Sequence, residues 1–397
     1  MLKTITAYSF FVALHVLNAN LSLAETPKPS VGVWLADAIV ERHQPTIDAL
    51  THHGWDHSNS IVLHGIEKIY AQYRKPTYFR YIKRYADEYI DDEGNISGLL
   101  TTLDGMHPGV ICLFLYEQTG EEKYRLAAKT MRDHLLGTDA KPSVFAKTPD
   151  GLYWHKNNEK YKNVSSVDGL YMKDPFLVRY GVTFGEPETI AAATEQVKLI
   201  AARSFNIRSN LAFHAWSYSR DRAWADSITG QSTQHWSRAS GWFAMALIDI
   251  LEFLPQNHAD YVAIRYMYQR LAQGLANAQN PSDGLWYQVL DKFSSEGNYP
   301  EISGSGMIIY ALQKGVDLEL LPAKYSEVTR RGWNAIQPYI KTYHDDGPQI
   351  TSIAPGMSAK INYLDYVSIK PIDVPQAGAK QYSHGYIGVL MASSVME

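Results

Sequence analysis

Two kinds of helical segment alternate along this chain, and their alternation restricts the possible folds more than any other feature. Segments of the first kind carry apolar residues on one face only, as expected for helices with one side in water. They span 31–44, 77–90, 121–136, 186–203, 258–278 and 324–340. Segments of the second kind are apolar nearly all round, which indicates burial. They span 60–73, 109–118, 170–180, 241–254, 306–316 and 385–395.

Each buried segment is followed by an amphipathic one, except that the first amphipathic segment precedes them all. The stretches 65–79 and 109–124 resemble each other, with matching glycines and tyrosines. Repeated helix pairs form either an open solenoid or a closed ring. We predict an all-α (α/α)6 barrel of six inner and six outer helices. The segment 31–44 would then pack beside the last inner helix, and an open solenoid is the alternative.

Some connections between these helices have an extended pattern instead. They are 151–154, 284–289 and much of 348–380. We interpret them as short strands or long loops at one rim of the barrel, where long ordered loops usually serve a function.

The first 24 residues have the pattern of a secretory signal peptide. Lys3 precedes a mostly apolar stretch, and Ser22 and Ala24 occupy the small-residue positions of a cleavage site. A membrane anchor is the alternative, but the stretch is short and interrupted by asparagines. We therefore expect an exported protein, periplasmic or secreted, with residues 25–397 forming a single barrel domain.

Composition excludes several classes of function. The net charge of −4 has no basic excess, which argues against a nucleic-acid partner. Cys112 is the only cysteine, so the chain can form neither an intrachain disulfide nor a cysteine zinc site. His52, His53 and His57 lack a carboxylate at a recognised metal spacing, and we assign them to a loop or cleft. We predict no metal and no cofactor, since common nucleotide and metalloprotease motifs are missing.

Polar groups stand directly ahead of all six predicted inner helices. These lead-ins are Trp55-Asp56-His57, Asp104-Gly105-Met106-His107, Asp168-Gly169, Trp236-Ser237-Arg238, Glu301-Ile302-Ser303 and Tyr382-Ser383-His384. Inner helices of a barrel all run the same way, so the lead-ins should meet at one rim. Helix N-termini carry partial positive charge, which favours an anionic ligand there. The alternative is that the acidic and hydroxyl side chains only cap helices.

Several of these runs resemble the unsaturated rhamnogalacturonyl hydrolases, glycoside hydrolase family 105. The matching runs are WHK at 154–156, SVDGLYMKDPFL at 166–177, WSRASGWFAMAL at 236–247, GLWYQVLD at 284–291 and EISGSGM at 301–307. They follow the family's order over roughly residues 50 to 320. The resemblance implies an (α/α)6 barrel that removes a 4,5-unsaturated uronic acid from the non-reducing end of oligosaccharides made by lyases.

The resemblance also implies roles for individual residues. Asp168 would protonate C4 of the unsaturated sugar and help to activate the water that adds at C5. This requires a raised pKa, from burial or from a nearby carboxylate, and Asp104 is our candidate for that second carboxyl. Arg238 suits a uronate carboxylate, because its planar fork binds bidentately. The predicted substrate-binding residues are His107, His155, Lys156, Tyr171, His214, Trp236, Arg238 and Trp242.

At two places the sequence departs from the family pattern, so the resemblance does not identify the leaving sugar. Ser165-Ser166-Val167 stands where members carry an aromatic residue, and the chain from 340 onward matches poorly. The leaving sugar would be rhamnose-linked, from rhamnogalacturonan or ulvan, and the unsaturated residue glucuronyl or galacturonyl in origin.

A polysaccharide lyase or inverting glycosidase with the same barrel is the alternative enzyme, and a glycan-binding barrel the alternative outside catalysis. Tryptophans 236 and 242 would stack on sugars or simply pack in the core, and the oligomeric state stays open.

Overall fold

The computed structural model describes residues 30–342, 348–372 and 383–397. Six buried helices form the inner layer of the described chain. They are α2 (His57–Tyr73), α4 (Gly109–Thr119), α6 (Asp168–Phe184), α8 (Ser237–Phe253), α10 (Ile302–Asp317) and α13 (Ser383–Met396). Six amphipathic helices form the outer layer. They are α1 (Val31–Arg42), α3 (Pro76–Tyr89), α5 (Glu122–Leu136), α7 (Pro187–Ser204), α9 (Tyr261–Asn277) and α11 (Tyr325–Ile336).

The inner helices form a closed ring. Each contacts the next in chain order, and α13 packs against both α10 and α2. This confirms the predicted (α/α)6 barrel, which the open solenoid alternative does not fit. The first outer helix, α1, packs against α13 and α2 and so covers the closure of the ring, as predicted.

Close approach between α10 and α13 depends on glycine. A Cβ atom added to Gly306 would stand 2.4 Å from the carbonyl oxygen of Gly388, and one added to Gly388 would stand 2.5 Å from that of Ser303. Any side chain at these two positions would force the helices apart. The last two inner helices therefore meet backbone to backbone.

The inner helices begin earlier than the apolar pattern alone indicates. Helices α6, α8 and α10 begin at Asp168, Ser237 and Ile302, whereas their apolar runs begin two to four residues later. Two of the polar lead-in residues are true caps, since Asp56 accepts from the Ser58 amide and Glu301 from the Ser303 and Gly304 amides. Asp168 makes no such cap, because it is the first residue of its helix and Val167 holds the cap position.

Short strands lie in the connections, but of the three predicted segments only 348–380 contains one, and 151–154 and 284–289 contain only isolated bridges. Strand β1 (Val164–Ser166) pairs antiparallel with β4 (Ala215–Ser217), in the register Ser166 to Ala215. Strands β2 (Phe205–Asn206) and β3 (Leu211–Ala212) form a second pair, and β5 (Ile340–Thr342) and β6 (Pro348–Ile350) a third. A short helix, α12 (Tyr363–Val367), follows the last strand.

The pair of β1 and β4 matters for the site. Strand β1 leads into α6 within two residues, and the Val167 amide donates to the carbonyl of His214, the residue just before β4. Asp168 and His214, 46 positions apart in the chain, are thereby brought side by side.

Cys112 is buried, as its apolar neighbours predicted. The predicted signal peptide and Tyr382 lie outside the described residues. Among the helices of the described ranges, none is both long and apolar enough to cross a membrane.

Candidate active site

A cleft of two joined chambers opens where the inner helices begin. The barrel chamber, of about 260 Å³, is lined mainly by the first turns of inner helices and their lead-ins. The hairpin chamber, of about 230 Å³, is lined by the β1–β4 pair and by the segments around 222–224 and 357–359. Both chambers are lined by His155, Lys160, Tyr161, Asp168, Met357 and Ser358. Asp168 therefore lies where the two chambers meet.

Most of the predicted site residues line this cleft. The barrel chamber contains Asp104, His155, Lys156, Asp168, Trp236, Arg238 and Trp242. His214 lines the hairpin chamber beside Asp168. The fold thus brings together predicted site residues that are separated by more than a hundred positions in the chain.

Tyr171 and His107 lie beneath the cleft and line neither chamber. The Tyr171 ring stacks against Trp242 with centroids 4.8 Å apart, and the His107 ring lies 5.3 Å from Tyr171. The Nδ1 atom of His107 lies 2.7 Å from the Ser60 hydroxyl. Both residues are buried. Their position supports the indole of Trp242 from below, whereas the sequence predicted that they contact substrate.

Asp168 is a carboxyl with little stabilisation of its charged form. Its side chain is 16% exposed, and its buried Oδ1 atom has no hydrogen-bond partner among the described residues. The His214 Nε2 atom lies 3.8 Å from Oδ2, too far for a hydrogen bond. Burial raises the pKa of Asp168 to about 7, and the charge of Asp104 adds to this, against the opposing effects of Arg238 and Ser166. Of the two causes expected from the sequence, burial is the larger.

Asp104 has the opposite electrostatic environment. Its carboxylate lies 2.8 Å from the Lys156 ammonium and 3.5 Å from the His155 ring. Burial by itself would raise the pKa of Asp104, but His57, His155 and Lys156 hold it well below its usual value. The cleft therefore contains one carboxyl that titrates near neutrality and one that stays ionised. Such a split separates a proton donor from an electrostatic partner.

His214 is held as a neutral ring. Burial lowers its pKa to about 3, and the charges of His155 and Arg238 act in the same direction. Its Nδ1 atom lies 2.9 Å from the Tyr366 hydroxyl, and its ring lies 4.6 Å from that of Trp236. Contacts on two sides fix the orientation of the ring, with Nε2 towards Asp168.

Arg238 is buried, and much of its guanidinium is engaged by the protein. It donates to the Ser303 hydroxyl at 3.3 Å, to the Ala354 carbonyl and to the Pro355 carbonyl at 3.0 Å. The guanidinium also lies 4.6 Å above the Trp236 ring. Of the five N–H donors of an arginine, two remain for a ligand. Arg238 thus holds the 354–355 segment against the cleft as well as carrying charge into it.

Sequence reasoning missed several residues of the cleft. His57 and His384 line the barrel chamber and belong to two of the polar lead-ins, so the rule that selected Asp104 also pointed to them. Met357 and Ser358 line both chambers. No local pattern marks that segment, because contacts of Arg238 with residues over a hundred positions away bring it to the cleft.

Metal ligation finds no support within the cleft. Among the described residues, one group of side chains could together hold an ion, namely Asp48, His53 and Glu88. None of the three lines either chamber. His53 is 71% exposed and already contacts the Tyr89 hydroxyl.

The charges lining the cleft favour an acidic ligand. Lys156, Lys160, Arg222 and Arg238 supply cationic groups to the two chambers. The only acids among the described lining residues are Asp104, which Lys156 neutralises, and Asp168. Indole faces beside guanidinium groups suit a sugar ring that carries a carboxylate.

Comparison with known proteins gives a match along most of the chain. The model of Glycosyl Hydrolase Family 88 matches residues 35–390. The solved structure of a family 105 glycoside hydrolase from C. acetobutylicum ATCC 824 is 30% identical to this chain in sequence, with a TM-score of 0.81. The match covers 92% of this chain and 98% of that one.

Curated relatives match over shorter stretches. Protein Atu3128 of Agrobacterium fabrum is 40% identical over 147 residues, which are 37% of this chain and 62% of that protein. The unsaturated 3S-rhamnoglycuronyl hydrolase of Alteromonas sp. (strain LOR) is 32% identical over 292 residues, which are 72% of this chain and 64% of that protein. The chain thus spans less than two thirds of the length of these two relatives.

The environment of Asp168 predicts a pH-dependent cost in stability. Between about pH 4 and pH 7 the folded protein retains a proton that the unfolded chain has released, so this contribution to stability falls as pH rises. Asp168→Asn removes it. The stability of the variant relative to wild type should therefore increase by up to about 3 kcal/mol between about pH 5 and pH 8, measured by urea unfolding. Asp92→Asn, at an exposed turn, is the control and should follow the wild type. A difference for Asp168→Asn that does not change with pH would contradict the assigned environment.

Proposed function

This chain belongs to Glycosyl Hydrolase Family 88, and on that basis we propose that it removes a 4,5-unsaturated uronic acid from the non-reducing end of oligosaccharides made by lyases. The observation that carries the proposal is the state of Asp168. It is a carboxyl that holds its proton up to about pH 7 at the junction of two chambers lined with cations. A protonated carboxyl can donate its proton to an electron-rich double bond, and the cations accept an acidic sugar.

The proposed reaction is hydration of a vinyl ether. The Asp168 proton adds to C4 of the unsaturated uronate while a water oxygen bonds to C5, and the water's proton returns to the Asp168 carboxylate. The product is a hemiketal at C5. Its ring C5–O bond breaks to leave a ketone at C5 and a hemiacetal at C1, which collapses to an aldehyde and releases the remaining saccharide. One water is consumed, and Asp168 ends the cycle protonated.

The two carboxyls support this reaction over ordinary glycosidic cleavage. An inverting or retaining glycosidase uses one carboxyl as acid and a second as base or nucleophile. Here Asp104 is tied to Lys156 at 2.8 Å, with His155 3.5 Å away, which leaves it poorly suited to activate water or attack carbon. We assign Asp104 the role of keeping Lys156 and His155 in place beside Asp168.

The other predicted residues divide into binding roles. The two free donors of Arg238, together with Lys156, would bind the uronate carboxylate, and Trp236 and Trp242 would bound the sugar ring. His214, neutral and directed towards Asp168, would position the carboxyl or the attacking water. Tyr171 and His107 would act indirectly, through the position of Trp242.

We further propose that the saccharide released is rhamnose-linked, from rhamnogalacturonan or ulvan. Motifs at 166–177 and 236–247 support this, as does similarity to a relative named as a 3S-rhamnoglycuronyl hydrolase. Residues 25–397 would form the single catalytic domain, with an acidic oligosaccharide as the partner of the cleft.

The ultraviolet absorbance of the C4=C5 double bond reports its loss and so measures the proposed reaction. Purified protein should bleach this absorbance in lyase-treated polysaccharide. Asp168→Asn should slow bleaching by about a thousandfold, the scale of a lost general acid, while Asp92→Asn keeps the wild-type rate. A rise in absorbance on intact polymer would indicate a lyase, and no change on any lyase product would indicate a binding protein. Full activity of Asp168→Asn would refute the assigned acid.

The proposed reaction also predicts how its rate depends on pH. Since Asp168 must enter the reaction protonated, kcat/KM should fall above about pH 7, approaching tenfold per pH unit. The measurement is the initial bleaching rate at low substrate across the range from about pH 5 to pH 9. A kcat/KM that rose with pH across this range would require the ionised carboxylate and would contradict the proposal.

We also propose export through a signal peptide at residues 1–24. The support is the sequence pattern there, a basic start, an apolar stretch and small residues at 22 and 24. When the full chain is produced in a bacterial host, N-terminal sequencing of the exported protein should begin near Glu25. Recovery of the uncut chain from the membrane fraction would favour the anchor alternative.

A further inference from the structure

We propose that Glu301 is a positioning residue of the cleft: it fixes Arg238 in place and offsets its positive charge, so that Arg238 can bind an acidic sugar without promoting loss of the Asp168 proton. Glu301 itself lines neither chamber, so it would not touch the substrate. This inference rests on the proposed function for the use that is made of the Asp168 proton. It gives a task in the reaction to a residue outside the cleft.

Glu301 carries a fully buried carboxylate directly ahead of α10. Its Oε2 atom accepts from the Gly304 amide at 2.6 Å, and its Oε1 atom accepts from the amides of Ser303 at 3.2 Å and Ala354 at 3.1 Å. Three backbone amides therefore fix the direction of the carboxylate. Capping alone does not call for this side chain, because a serine or threonine would cap the helix without burying a charge. A buried charge is costly unless a partner offsets it.

That partner is Arg238. Its Nη1 atom lies 3.9 Å from Glu301 Oε1, and this is the only ion pair that Glu301 forms within the described residues. Two groups also bridge the pair. The Ser303 hydroxyl donates to Oε1 at 2.6 Å and accepts from Nη1 at 3.3 Å, while the Ala354 backbone donates its amide to Oε1 and accepts from Nη1 at its carbonyl. Glu301 thus holds Arg238 by charge and through two shared partners.

Arg238 in turn acts on Asp168, and both residues line the barrel chamber. The charge of Arg238 is the largest of the effects that oppose the raised pKa of Asp168. Glu301 and Arg238 are at most 1% exposed, so little solvent screens one from the other. A negative charge this close to Arg238 weakens its effect on Asp168 and helps that carboxyl to keep its proton.

Other titratable groups face Asp168 as well. Those on neighbouring segments are Asp104 with its partner Lys156, His155, Tyr161, His214 and Tyr366. His57, Lys160, Arg222 and His384 also line the chambers. Since the ion pair of Glu301 in the described chain is with Arg238, loss of the Glu301 charge should reach Asp168 chiefly through Arg238.

The experiment compares the titration of Asp168 in three variants. Glu301→Gln removes the charge and keeps the shape of the side chain, whereas Glu301→Asp keeps the charge. Glu296→Gln removes an exposed charge from the same connection and is the matched control. Carbon NMR of protein labelled at the aspartate Cγ follows the Asp168 proton, with the signal assigned by its absence in Asp168→Asn. Ultraviolet bleaching gives kcat/KM across the same pH range.

In Glu301→Gln the titration midpoint of Asp168 and the fall of kcat/KM should both move about one pH unit lower, because an unopposed Arg238 favours the ionised carboxyl. Glu301→Asp should stay within about half a pH unit of the wild type, and Glu296→Gln should match it. Equal loss of activity at every pH in Glu301→Gln, with the midpoint unmoved, would mean that Glu301 only caps α10 and would overturn the inference. A shift in Glu301→Asp as large as that in Glu301→Gln would overturn it too.

A second variant keeps the inference testable if Glu301→Gln does not fold. Ser303→Ala keeps the amide bonds to Glu301 and removes only the hydroxyl that bridges it to Arg238. With Arg238 less firmly held, KM should rise by about tenfold, the scale of a lost hydrogen bond to a charged group, while kcat stays within about threefold. An unchanged KM would contradict the role given to Glu301.

The NMR titration separates this inference from the proposed function, because it needs no turnover. If no lyase product is bleached but the Asp168 midpoint falls in Glu301→Gln and not in Glu296→Gln, the proposed function fails and the role of Glu301 stands. If bleaching requires Asp168 but its midpoint in Glu301→Gln equals that of the wild type, the role of Glu301 fails and the proposed function stands.

Discussion

Closure of the inner helical ring is the constraint on which the rest of this structure depends. Because the six inner helices run in one direction, all of their N-terminal ends fall on one rim, and the polar residues that precede them meet there. Helix α13 completes the ring by packing against α10 and α2, with Gly306 and Gly388 allowing backbone contact. A ring left open would separate the barrel chamber's His384 from His57 and dissolve the chamber between them.

The same closure creates the electrostatic difference between the two carboxyls. Both lie deep in the rim, where desolvation disfavours charge. Asp104 is compensated by Lys156 and His155, whereas Asp168 has an oxygen without a partner among the described residues and is stabilised only in part by Arg238 and Ser166. Although both carboxyls are buried, Asp104 is therefore ionised and Asp168 can donate a proton. The chemistry proposed for the cleft follows from which carboxyl received a cation.

Much of this arrangement was predictable from the sequence, because it is encoded locally. Apolar runs located the inner helices, and the polar lead-ins located the rim with Asp104, Asp168 and Arg238. Local patterns do not show which side chains of an inner helix reach the cleft and which pack against its neighbours. Met172, four residues beyond Asp168, lines the barrel chamber, whereas Tyr171, three residues beyond, stacks against Trp242 and lines neither chamber. Contacts between distant segments were equally hidden, which is why Met357 and Arg222 went unmarked: one arrives through Arg238, the other through the loop carbonyls at 159 and 162.

The central claim is that Asp168 delivers a proton to a carbon atom. The most direct measurement runs the reaction in D2O and follows the released uronate by NMR. If Asp168 protonates C4 of the double bond, it delivers the deuteron to one face, so uronate sampled early in the reaction carries one deuterium at C4 in a single configuration. Cleavage at the glycosidic bond alone would release an unsaturated uronate that opens to an enol and takes up deuterium from solvent on both faces, and such a mixture of C4 configurations would contradict the account.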